Sequence, residues 1–254
     1  MDGNAKKILI TGGTSGLGLA MAEALAANDA TVALTGRSGE RAKEVAASLP
    51  NAIGLGLDVR DETAVSEGVA EVWERLRGID LLVNNAGIGM RTVNPNFLTQ
   101  PTRFWEVPAD GFRAVVETNL TGYFLVAREV VPRMLAAGSG RIVNIAVNEQ
   151  SMRRTGFVPY GPSRAGSESL SRIMAADLEG TGITVNLLMP GSATVTGMFP
   201  DDVPAGLRIL QPDVMGPPIV WLASAEAVGV HDERIDASQF DDWLRQRQGR
   251  SAGV

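Results

Sequence analysis

Ile8 to Ala20, ILITGGTSGLGLA, constrains this chain more than any other stretch. Ile8, Leu9 and Ile10 form an apolar run short enough to be a strand buried on both faces. Gly12, Gly13, Gly16 and Gly18 follow at once, and Leu17, Ala20, Met21, Ala24 and Leu25 then recur at helical spacing. A strand, a glycine turn and a helix in succession point bare backbone N–H groups and a helix N-terminus at one spot, a ready site for a diphosphate. Glycine is needed there because a Cβ would hold phosphates off and resist positive φ. Taken alone, the pattern also fits an ordinary βα loop with no ligand.

The totals narrow the classes. At 254 residues the chain fits one domain spanning 1–254, with a core expected over about 6–237. A net charge of −6 speaks against a nucleic-acid surface, which needs clustered Lys and Arg. No run approaches the ~18 apolar residues of a membrane span, and MDGNAKK has no apolar signal core. Cysteine is absent, which removes disulfides, thiolate catalysis and zinc–sulfur sites together. A soluble, cytoplasmic protein without membrane or nucleic-acid partners is the expectation.

Strand-like runs at Thr31 to Thr35, Ile53 to Leu57, Asp80 to Val83, Arg141 to Ile145 and Thr184 to Leu188 alternate with helical patterns. The helices are expected at Glu40 to Leu49, Thr63 to Leu76, Asp110 to Ala137 and Tyr160 to Leu178. Such alternation predicts an α/β fold, a doubly wound parallel sheet with helices on both faces. The apolar residues of Asp110 to Ala137 surround the helix so widely that one buried side cannot hold them all. The excess predicts a homo-oligomer, a dimer or tetramer formed through helices 110–137 and 160–178. Gly197 to Leu210, rich in Gly, Pro and Asp, suits a mobile flap over a pocket or a plain surface loop. Val214 to Ala223 reads as a short helix and Glu233 to Ala237 as a last edge strand. The polar tail, 243–254, is expected to fray.

Several polar or glycine-containing positions fall at strand ends or on the helices that follow them. They are Asp58-Val59, Asn84-Asn85-Ala86-Gly87, Asn119, Tyr160, Arg164, Pro190-Gly191, Thr194 and Thr196. In a parallel sheet these places converge on one rim, where ligands bind. In combination and in this order, Thr11-Gly12-x-x-x-Gly16-x-Gly18, Asn84-Asn85-Ala86-Gly87, Tyr160 opening a helix and Pro190-Gly191 closely resemble the short-chain dehydrogenase/reductases. The resemblance runs from about Lys7 to the last strand. It implies a single-domain Rossmann fold and hydride transfer between a nicotinamide and an alcohol or carbonyl. It further implies cofactor contacts at Gly12, Thr14, Ser15, Gly16, Leu17, Gly18, Asp58, Val59, Asn85, Ala86, Gly87, Tyr160, Arg164, Pro190, Gly191, Thr194 and Thr196, with Asn84 and Asn85 bracing the central strands first.

NAD-users of that family usually end the second strand with an acid, where this chain has Gly36. Arg37 and Ser38 can instead hold a 2′-phosphate, so NADP is preferred over NAD. Of the family's Asn, Ser, Tyr and Lys tetrad, Asn119 and Tyr160 match, with Asn119 expected to hold a water. Arg164 stands in place of the Lys. On a helix it shares a face with Tyr160, and a neighbouring cation favours phenolate, as acid/base work near neutrality requires. Arg stays protonated, so it cannot pass protons along a relay. At the family's Ser position lies Ile145-Ala146-Val147-Asn148. Neither Ala146 nor Val147 can donate a side-chain hydrogen bond, so Asn148 or Ser151 is expected to supply the missing donor.

Ser151, Met152, Arg154, Phe157 and Met198 are expected to line the substrate pocket. Arg153 and Arg154 could recognise an anionic group or simply form a solvated turn. His231 has no second His or Cys beside it, so no metal site is expected. The chain thus reads as an NAD(P)-dependent oxidoreductase acting on a small alcohol or ketone, with Tyr160 as acid/base. The alternatives are a halohydrin-type elimination, or a weak or silent dinucleotide-binding sensor.

Overall fold

A computed structural model describes residues 5–199 and 206–251. The elements of the first half are β1 (Lys7–Ile10), α1 (Gly16–Ala26), β2 (Thr31–Gly36), α2 (Gly39–Ala47), β3 (Ala52–Gly56), α3 (Glu62–Leu76) and β4 (Leu81–Asn84). Then come α4 (Ala109–Val116), α5 (Gly122–Ala137), β5 (Gly140–Ile145), α6 (Glu149–Arg153), α7 (Tyr160–Asp177) and β6 (Ile183–Met189). A two-residue pair, β7 (Ala193–Thr194) with β8 (Ile209–Leu210), precedes α8 (Gly216–Ala223), β9 (Arg234–Asp236) and α9 (Phe240–Ser251).

The main sheet runs β3-β2-β1-β4-β5-β6-β9, parallel throughout. Strand alternation divides the core in two, as period-2 side chains demand. Ile8 and Ile10 face the layer of α1 and α8, against Met21, Leu25, Ile219 and Leu222. Leu9 faces the layer of α3 and α5, against Val65, Val69, Val126 and Val130. Strand order reverses between β1 and β4, which opens a crevice beyond their carboxyl ends.

Two expectations change. The helix foreseen over Asp110 to Ala137 contains a π turn at Glu117–Thr121 between α4 and α5. A 3.6-residue pattern cannot reveal that extra residue; tertiary hydrogen bonds of Asn119 hold it in place. Of the tail expected to fray over 243–254, the described residues up to Ser251 are instead part of α9. Trp243 and Leu244 pack on the core, with the Trp243 ring 5.5 Å from that of Trp221. Of the proposed flap over Gly197 to Leu210, residues 200–205 lie outside the described residues, and the end at Ile209–Leu210 is tied to β7. Among the described residues no helix is long and apolar enough to cross a membrane.

Candidate active site

At the head of the crevice Gly12 has φ 64°, and a Cβ there would stand 2.8 Å from Ala86 Cα. Gly16 opens α1 at φ 56°, and the N-cap Ser15 does not cap the helix with its side chain. The first N–H groups of α1 are therefore left for a ligand. Gly12, Thr14, Ser15, Gly16 and Leu17 line a cavity of about 570 Å³. Gly18 does not line it. Its Cβ would lie 2.3 Å from the Gly12 carbonyl oxygen, so its role is close packing of helix on turn.

The β4 turn is braced from beneath. Thr11 Oγ1 accepts from the backbone N–H groups of Asn85 (3.0 Å) and Ala86 (3.1 Å). Asn85 Nδ2 donates to the carbonyls of Thr11 and Gly12, and Asn84 Nδ2 donates to Asn144 Oδ1 at 2.9 Å. Asn85, Ala86 and Gly87 still reach the cavity wall.

One end of the cavity is formed by Gly36, Arg37, Asp58, Val59 and Arg60. A side chain at Gly36 would meet Thr14 Cγ2 at 2.8 Å, so the turn has no room for an acid there unless Thr14 moves. Arg37 is exposed at this end. Ser38, expected beside it on the ligand, is instead the N-cap of α2 and accepts from Arg41 N at 3.2 Å, off the wall. Asp58 is gripped by Arg60 at 2.6 Å, and that hydrogen bond holds its carboxyl below the ordinary value.

At the opposite end Tyr160, half-buried, opens α7 on the cavity wall. One turn on, Arg164 is only 3% exposed and has no carboxylate partner among the described residues. Its Nη1 donates to Tyr123 Oη at 2.9 Å and to the Ile145 carbonyl at 3.1 Å. Its Cζ lies 5.3 Å from the Tyr160 ring centroid, and Nε has no protein partner. Burial penalises this charge, but the two phenols outweigh that penalty and the guanidinium's pKa is raised. In the sequence Tyr123 reads as one more apolar position of a long helix; nothing in its spacing marks it.

Asn119, 0% exposed, is not on the wall. Its Oδ1 accepts from Ile88 N, while Nδ2 donates to Ile88 O at 3.0 Å and to Ser163 Oγ at 3.1 Å. Both amide hydrogens are committed to protein, so the side chain fastens the β4 loop to α7 rather than a water to the site.

Ala146, Val147 and Asn148 all line the cavity. Asn148 Oδ1 caps α6 by accepting from Ser151 N at 2.8 Å, which fixes the amide and leaves Nδ2 as the donor. Arg234 on β9, paired with Glu168 at 3.0 Å, donates to the Val147 carbonyl at 2.7 Å and tethers this loop; no motif foretold it. Ser151, Arg154, Phe157 and Met198 line the cavity, as do Pro190, Gly191, Thr194 and Thr196. Met152 does not; its carbonyl packs against Gly161 instead. Arg153 pairs with Glu149 at the surface, whereas Arg154 lies 5.2 Å over the Phe157 ring. Met90, Phe97 and Leu98 complete an apolar wall that no periodicity or motif in the sequence marks. His231 is structural, accepting from Val185 N at 3.1 Å, and no metal-binding cluster exists among the described residues.

Residues 6–204 match the family described as short chain dehydrogenase. The chain is 33% identical over 245 residues to a 3-oxoacyl-(acyl-carrier-protein) reductase of Aquifex aeolicus, covering 91% of this chain and 94% of the relative. It is 34% identical over 196 residues to an NAD(+) 2-dehydro-3-deoxy-L-rhamnonate dehydrogenase of Sphingomonas, covering 77% and 74%. Among solved structures, a 3-ketoacyl-(acyl-carrier-protein) reductase of Brucella melitensis complexed with NADH superposes with a TM-score of 0.79 at 28% identity, covering 91% and 96%. These relatives are all named reductases or dehydrogenases, which does not favour the non-redox alternatives.

Proposed function

Since the chain belongs to the short-chain dehydrogenase family and is an NAD(P)-dependent oxidoreductase of that family, we propose that it interconverts a small ketone and secondary alcohol with NADP(H), using Tyr160 as acid/base. The observation that carries this reading is Tyr160 on the cavity wall above the buried guanidinium of Arg164. The glycine turn and the open N-terminus of α1 fit a diphosphate, and Arg37 beside a crowded Gly36 favours a 2′-phosphate.

A bound nicotinamide dinucleotide supplies or removes the hydride. The chain's own residues handle the proton and the geometry. In the reducing direction Tyr160 Oη gives its proton to the substrate oxygen, and in the oxidising direction it takes one. Arg164 keeps its charge throughout, so Tyr160 recovers its proton by a route other than this side chain. Asn148 Nδ2 is the donor for the substrate oxygen where a hydroxyl is missing. Phe97, Phe157 and Met198 exclude water from the substrate's apolar part, and Arg154 faces its outer end.

Phe112, Phe124 and Ile173 remain exposed on α4, α5 and α7. They support the reading of a dimer or tetramer through these helices. The functional reading is tested by following NADPH absorbance with a panel of ketones. Turnover that disappears in Tyr160→Phe is expected; silence across the panel, or an active Tyr160→Phe, refutes it.

A further inference from the structure

We propose that Tyr123, a buried phenol off the cavity wall, is the positioning residue that sets Arg164 beneath Tyr160. This inference rests on the roles given above to Tyr160 and Arg164. Three hydrogen bonds close a triangle: Arg164 Nη1 to Tyr123 Oη at 2.9 Å, Arg164 Nη1 to the Ile145 carbonyl at 3.1 Å, and Tyr123 Oη to the same carbonyl at 3.3 Å. Both hydrogens of Nη1 are thereby used. On the other side, a Cβ on Gly87 would lie 2.4 Å from Arg164 Nη2, so the guanidinium occupies the space that a side chain at Gly87 would take. Its Cζ sits 5.7 Å from the Tyr123 ring centroid and 5.3 Å from that of Tyr160, held between the only two tyrosines of the chain.

The backbone explains how Tyr123 arrives there. It is the second residue of α5, immediately after the π turn that buries Asn119, so both side chains point inward. A purely space-filling role would leave the hydroxyl without purpose, since phenylalanine fills the same volume. A proton-shuttling role is also excluded: the Tyr123 hydroxyl donates to a backbone carbonyl and is 1% exposed, off the cavity wall. What remains is orientation. A buried cation with no carboxylate turns toward solvent unless neutral dipoles hold it, and Tyr123 supplies one such dipole.

The test measures kcat and KM of the full chain with NADPH and ethyl acetoacetate, for wild type, Tyr123→Phe, Arg164→Lys and the double variant. Loss of one hydrogen bond to a charged group predicts that Tyr123→Phe lowers kcat about tenfold, with KM for NADPH within about twofold. In the Arg164→Lys background the same change is expected to cost less than about twofold, because lysine is too short to reach Tyr123 Oη. Equal losses in both backgrounds, or no loss in either, overturn the proposal. Tyr123→Leu is a second hydroxyl-free side chain should phenylalanine misfold. If the wild type is inactive, or Tyr160→Phe is as active as wild type, it is the role of Tyr160 that fails. A crystal structure of Tyr123→Phe then decides Tyr123 separately: a displaced Arg164 guanidinium supports the proposal and an unmoved one overturns it.

Discussion

Arg164 Cζ lies 5.3 Å from the ring centroid of Tyr160, one helical turn away on α7, with the guanidinium almost wholly buried. A charge so placed acts on the phenol through a medium far less screening than water. Removing it should therefore cost more than removing a surface arginine. Arg164→Gln is expected to lower kcat by about one to two orders of magnitude. Arg164→Lys, which keeps the charge and restores a side chain able to exchange a proton, is expected to be faster than wild type. Steady-state kinetics with NADPH check both.

The donor role proposed for Asn148 gives a rescue prediction. Val147 lines the cavity, and its backbone is held by Arg234, so a hydroxyl there would be presented from a fixed loop. Asn148→Ala is expected to lower kcat by about tenfold or more, the scale of one oxyanion-type donor, and Val147→Ser is expected to recover most of that loss in the double variant. An Asn148→Ala variant as fast as wild type would remove Asn148 from the donor role.

Cofactor choice is expected to turn on Arg37. Arg37→Ala should raise KM for NADPH about tenfold, the loss of one charge-assisted contact, and leave KM for NADH nearly unchanged. Equal effects on the two dinucleotides would remove Arg37 from 2′-phosphate recognition.

The second tyrosine offers a pH test. Burial pushes the Tyr123 phenol up, and the Arg164 charge and hydrogen bond bring it only part of the way back. In Tyr160→Phe, where Tyr123 is the only phenol, tyrosinate absorbance is expected to appear only above the ordinary value of 10.0. The unfolded chain releases this proton at about pH 10, before the folded one does, so its contribution to stability is full below that pH and is lost as pH rises through the folded value. Urea midpoints of Tyr160→Phe should fall above about pH 10 more steeply than those of Tyr123→Phe/Tyr160→Phe, which has no phenol to ionise.

Gly18 tests packing against ligand contact. A methyl group there would press on the Gly12 carbonyl and on Asn85 Nδ2. Gly18→Ala is expected to destabilise the fold by about 1–3 kcal/mol, read by denaturant unfolding. A variant as stable as wild type but unable to bind NADPH would return Gly18 to the ligand.

Much of the architecture was legible in the chain because its signals are local. The strand–glycine–helix unit, the strand–helix alternation and the Asn84-Asn85-Ala86-Gly87 turn depend on neighbours within a few residues. The structure moves their ends by only a residue or two. Likewise Asn85 was expected to brace the central strands, and its hydrogen bonds to Thr11 and Gly12 do so. The expectations that changed involved residues with competing uses: Ser38 acts as a helix cap, and Asn119 spends its amide on Ile88 and Ser163.

What the chain by itself determined is the parallel α/β sheet, the glycine turn that opens α1 and the pairing of Tyr160 with a cation one turn away. Periodicity and covalent spacing specify these without reference to the rest of the molecule. Only the tertiary structure decided where that cation points, because Tyr123 is 41 residues from Arg164 in sequence and meets it through a π turn and a strand end. A buried hydrogen bond between distant side chains leaves no periodic trace, since its geometry is set by how α5 and α7 settle on the sheet.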